Sequence, residues 1–177
     1  MVNESVQVTF RLYIGSDIEL DEEEIQSCLD HHRAAIRTRD LYEGAIIINS
    51  PNNPMVVIED MVTALVHNFC FDAISDLIAQ KNVTISYCDH YGYLRLDPES
   101  FYIRISGDDI PTIRLERRDL LPALYDCGQR FIQFLKDLKG DDKDEKLENL
   151  IHFLEELGKK AHQALMNMKL LPEEQIN

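Results

Sequence analysis

Side chains able to do chemistry are thinly spread along this chain. Six histidines stand at 31, 32, 67, 90, 152 and 162, and four cysteines at 28, 70, 88 and 127. The densest local combination is Cys88-Asp89-His90, followed by Tyr91 and Tyr93. A thiol needs a basic partner to act as a nucleophile, and a carboxylate beside an imidazole can move a proton. Position in the sequence alone does not assemble Cys88 with a base, and Asp89-His90 is also what a tight turn would contain. No H-E-x-x-H or H-x-x-x-H pair occurs. His31 and His32 are neighbours, and on a helix they diverge by about 100°. Asp108 and Asp109 follow Gly107; such a pair can hold a divalent cation through oxygen, but Asx-type turns use the same residues. The seven glycines form neither G-x-G-x-x-G nor G-x-x-x-x-G-K-[ST], and there is no G-x-S-x-G elbow. No cofactor, no metal centre and no catalytic constellation are expected. A small enzyme using Asp89, His90 and the tyrosines stands only as a third reading.

Charge is more informative. Lys plus Arg number 18 and Asp plus Glu 32, for a net charge of −14. Phosphate backbones and anionic lipid both need a basic face, so nucleic-acid and membrane-surface binding are disfavoured. Six carboxylates crowd one stretch: Asp17, Glu19, Asp21, Glu22, Glu23 and Glu24. They read either as a solvated helix start or as a docking face that speeds encounter with a basic protein. Tyr91, Tyr93 and Arg95 are of the types that anchor protein interfaces.

The elements that position these residues follow from periodicity. With 177 residues, one domain with an appendage is expected. Val6 to Ile14 alternates as a half-buried strand. Asp21 to Arg37 has helical spacing behind an acidic first turn. Ala45 to Asn49 is a short apolar strand. A second helix runs from Ile58-Glu59-Asp60 to about Gln80. Four short strands follow between tight turns, ending with Thr112 to Glu116, which implies an antiparallel meander. Arg117 to Lys139 is amphipathic and stops at Gly140. The last helix, from about Lys143 to Met168, spans ~39 Å and carries a heptad-like seam of Leu147, Leu150, Leu154, Leu157, Ala161, Ala164 and Met168. The expected fold is α+β: an antiparallel sheet of five or six strands, helices packed on one face, and a long C-terminal helix. Residues 1–140 form the core and 141–177 the appended helix and tail.

The longest purely apolar runs are four residues, Ala45 to Ile48 and Met55 to Ile58, far below the roughly 20 of a membrane span. The first residues lack the basic-then-apolar pattern of a secretory signal, so a cytoplasmic protein is expected. Cys28, Cys70 and Cys127 fall at apolar helix positions and read as buried.

Three segments carry a resemblance: Tyr91-Gly92-Tyr93-Leu94-Arg95-Leu96-Asp97-Pro98, Ile103-Arg104-Ile105-Ser106-Gly107-Asp108-Asp109-Ile110-Pro111, and Leu120-Leu121-Pro122-Ala123-Leu124-Tyr125-Asp126-Cys127-Gly128. With them, residues 57–138 resemble small bacterial proteins of the immunity or antitoxin type. The resemblance implies a non-catalytic inhibitor that neutralises a cognate toxin by surface docking. The final helix lies outside the match. A structural or regulatory homodimer, joined through that helix, is the alternative reading.

Overall fold

The computed structural model describes residues 5–15, 18–37 and 42–171. The alternation at the start of the chain produces β1 (Gln7–Ile14), with Val8, Phe10, Leu12 and Ile14 buried. Gly15 takes a left-handed φ of 73°, a conformation that costs glycine little. The chain returns as β2 (Ile18–Asp21), antiparallel to β1 with Leu20 opposite Leu12. Helix α1 (Glu22–Arg37) follows. Strand β3 (Glu43–Asn49) is buried from Gly44 to Ile48 and pairs with β1 on one side. On its other side lies β4 (Val56–Met61). The first sheet has the order β2-β1-β3-β4.

The chain then turns helical in three joined pieces: α2 (Val62–Leu65), a π-helical stretch (Val66–Asp72) and α3 (Ala73–Ile78). The second sheet is the meander β5 (Val83–Ser86), β6 (Tyr93–Glu99), β7 (Tyr102–Gly107) and β8 (Ile110–Glu116), in that spatial order. Helix α4 (Arg117–Lys139) leaves β8 directly and packs on β1, the π-helical stretch and α1. Gly140 ends it at φ 54°. Asp144 caps α5 (Glu145–Asn167) by accepting from the Leu147 amide at 3.0 Å. This helix folds back on α4, α3 and the π-helical stretch, burying Leu147, Leu154, Leu157 and Ala161 of its seam. Phe71, 1% exposed, reaches the crossing of α4 and α5. A Cβ on Gly128 would come within 2.5 Å of its ring, and one on Gly158 within 3.5 Å.

The fold is α+β with a long C-terminal helix, but the strands are divided differently from the sequence reading. Two four-stranded antiparallel sheets replace the single sheet of five or six. β4 and β8 lie against each other without pairing into one ladder, and the helix of residues 62–78 separates the two sheets along the chain. The helix expected from Ile58 begins at Val62, because Val56, Ile58 and Asp60 alternate inward as a strand. Cys28 is exposed, whereas Cys70 and Cys127 are buried. Among the described residues, no helix is long and apolar enough to cross a membrane.

Candidate functional site

Asp60 occupies the last inward-facing position of β4 and is only 1% exposed. A carboxylate at such depth needs donors. The Cys88 amide donates to Oδ1 and Oδ2 at 2.9 and 3.0 Å, and the Asp89 amide donates to Oδ1 at 3.1 Å. One side chain therefore ties the end of the first sheet to the loop that follows β5. Burial raises the Asp60 pKa; the amide donors oppose the rise, and the Asp89 side chain adds to it.

That loop, residues 87–92, closes on itself where the Tyr87 amide donates to the Gly92 carbonyl at 3.2 Å. Gly92 has φ 144°, and a Cβ there would press on the Tyr87 ring at 3.0 Å and on Asp108 at 3.1 Å. The tight path lets Asp108 accept from the Tyr93 amide at 3.0 Å. His90 stacks on Tyr87 with centroids 4.5 Å apart, and its Nδ1 meets Oδ1 of Asp89. This contact with Asp89 raises the His90 pKa above its ordinary value. One ligand atom each from Asp60, Asp89 and His90 lie within 4.8 Å of one another.

Asp89 and His90 line a cleft of about 310 Å³ between the outward face of the first sheet and the turns of the second. Glu43, Glu59, Asp108 and Asp109 complete its charge, with Tyr13 and Tyr87 as aromatic walls. Five carboxylates and one imidazole line it, and none of its described lining residues is a lysine or arginine. The Tyr13 hydroxyl donates to Glu59 at 2.8 Å; burial and that acceptor push its pKa up to about 12. Tyr87 is also raised, by burial and then by Asp108. The chemistry on offer is the attraction of a positive charge.

Cys88 is exposed, and its pKa is raised by burial of the thiol and by Asp60 and Asp89. That shift works against the thiolate, the form a nucleophile needs. A second concavity, about 390 Å³ between α1 and α4, is lined by Phe10, Ile25, Leu29 and Phe134 beside Arg130. Arg130 is spent on Glu22 at 2.7 Å and on the Val8 carbonyl at 2.6 Å.

Tyr91, Tyr93 and Arg95 follow one another along the loop after β5 and strand β6. Tyr91 is fully exposed and Tyr93 is 47% exposed. Alternation along β6 sets Tyr93 and Arg95 on the same outward face. Arg95 donates to Asp97 at 2.8 Å, and Arg104 grips the other oxygen at 2.8 Å. Glu99 bridges Arg104 and Arg114, and Arg114 lies over the Tyr102 ring at 4.0 Å.

The acidic run is dispersed over several structural tasks. Asp17 lies outside the described residues. Glu19 pairs with Arg11 at 2.8 Å and stands opposite Tyr13 across the β1–β2 pair. Asp21 and Glu24 form a reciprocal capping box, at 2.9 and 3.0 Å. Glu22 accepts from the Phe10 amide at 3.0 Å as well as from Arg130. Glu23 is exposed. The D-x-x-E spacing of Asp21 and Glu24 was the signal for the cap. Asp60, Glu59, Glu43 and Tyr13 were missed; the alternation from Val56 to Met61 is what could have placed the two β4 residues. No family model, no curated protein and no solved structure matches this chain.

Proposed function

We propose that this chain is a non-catalytic binding protein that docks a basic protein partner, in the manner of an immunity-type inhibitor covering a toxin. The observation that carries the reading is a cleft lined by five carboxylates and neither lysine nor arginine among its described residues, with exposed Tyr91 and Tyr93 beside it. Charge of one sign in a concave site steers an oppositely charged partner, and tyrosines supply rigid contact area for the docked state. The raised thiol pKa of Cys88 favours binding over nucleophilic chemistry. Four residues of the α5 seam, Leu147, Leu154, Leu157 and Ala161, are buried within the chain, which favours the cleft and the β6 face as the docking surface.

The test is capture from native lysate at low and moderate salt, with mass spectrometry, by wild type, Tyr91→Ala and Asp109→Lys. Both substituted residues are exposed, and because Asp109 takes a left-handed φ of 61°, circular dichroism first checks that each variant keeps the fold. The expected result is one stoichiometric basic protein, lost as salt rises and weakened in both variants. A partner retained equally by all three proteins, or no partner at either salt, would overturn the reading.

A further inference from the structure

Behind the cleft, Asp60 is buried and tied to the loop that carries Asp89 and His90. An imidazole stands beside it, its ring held by the Tyr87 stack and its Nδ1 turned toward Asp89. One oxygen from each carboxylate and one ring nitrogen lie within 4.8 Å of one another, the makings of a ligand set drawn from two separate stretches of chain.

We propose that Asp60, Asp89 and His90 bind one divalent transition-metal ion, of the zinc class. The imidazole selects this class over magnesium and calcium, which favour all-oxygen shells. Ligand atoms around a zinc ion stand roughly 3.4 Å apart, given bonds of ~2.1 Å. The three atoms here lie within 4.8 Å, so closure needs shifts of under ~1.5 Å. The side chains of His90 and Asp89 are 42% and 34% exposed and can make that adjustment. Asp60 supplies the fixed ligand, since the amides of Cys88 and Asp89 hold it from behind. Metal would neutralise the two carboxylates and pin the loop that bears Tyr91. Spacing along the chain could not announce the site, because Asp60 is 29 residues from Asp89.

Isothermal titration of zinc chloride, and separately of manganese and magnesium chloride, into the full chain tests the site. One equivalent of zinc should bind, with manganese and magnesium far weaker. His90→Ala and Asp89→Asn should each weaken binding at least tenfold, the loss that even an outer partner of a metal ligand can cause. His162→Ala, remote from the cleft, should leave it unchanged. In amide NMR spectra, the Cys88 and Asp89 signals should move on zinc addition. Absence of one-equivalent binding at millimolar zinc, or binding unaffected by His90→Ala and Asp89→Asn, would overturn the proposal. The outcome does not depend on whether a protein partner is found.

Discussion

Replacing Gly128 with alanine probes the packing at the helix crossing. In an ordinary helix interior the change stabilises by about 1 kcal/mol, because alanine is the better helix former. At Gly128 the new Cβ would come 2.5 Å from Cζ and 2.6 Å from Cε1 of Phe71. The ring cannot retreat freely, since it is 1% exposed and Gly158 of α5 approaches the same ring. Overpacking of a tight core costs about 1–3 kcal/mol, and the two-sided clamp argues for the upper end. The expected balance is a loss of about 2 kcal/mol, or a Tm lower by about 4–8 °C for a chain of this size. Thermal unfolding followed by circular dichroism reads this directly. The same substitution in a Phe71→Leu background should cost much less, giving a large coupling energy in the double-mutant cycle. If Gly128→Ala raises Tm as an exposed helix glycine would, the argument from the ring contact fails.

Other substitutions test the remaining contacts. Folded Asp60 binds its proton more tightly than the unfolded chain does. Its stabilising contribution is therefore complete below the ordinary carboxyl pKa of 3.8 and fades as pH rises through the folded-state value. Asp60→Asn keeps an oxygen for the Cys88 and Asp89 amides, so urea midpoints measured against pH should lose that decline; an unchanged slope would exclude Asp60 as its source. Asp97→Ala leaves Arg95 and Arg104 without their shared acceptor. Both arginines are about half exposed, so the loss should be about 1–2 kcal/mol rather than that of a fully buried pair, and a neutral denaturant midpoint would rule out the clamp. Asp21→Ala removes the α1 cap and should cost about 1 kcal/mol, with amide exchange of Glu24 accelerating; unchanged exchange would deny the cap its role.

Periodicity made much of the fold legible. β1, α1, the meander and the two long helices stand close to where alternation and helical spacing put them, because each buries one face against a large core. Two strands escaped. β2 is four residues with only Leu20 buried, too short to show a period. β4 ends in Glu59 and Asp60, which mimic the acidic first turn of a helix, while tertiary pairing with β3 makes them strand. That misreading hid the site as well, since Asp60 acquires meaning only when the loop at Cys88 folds onto it. The π-helical stretch was equally silent, because its apolar residues fit an ordinary helix. Tyr91, Tyr93 and Arg95 were legible as exposed types on one segment, whereas the carboxylates of the cleft come from four separate stretches of chain.

The division into two sheets has a consequence for colloidal behaviour. Each sheet turns one edge toward the other, β4 against β8, which leaves β2 and β5 as the outer edges. Both outer strands are four residues long. Short edges are poor templates for strand addition, and charge on them is a further deterrent. Glu19 and Asp21 provide that charge on β2. Part of the acidic run thus also guards against self-templated assembly, and a Glu19→Val chain should cloud at concentrations where the native one stays clear.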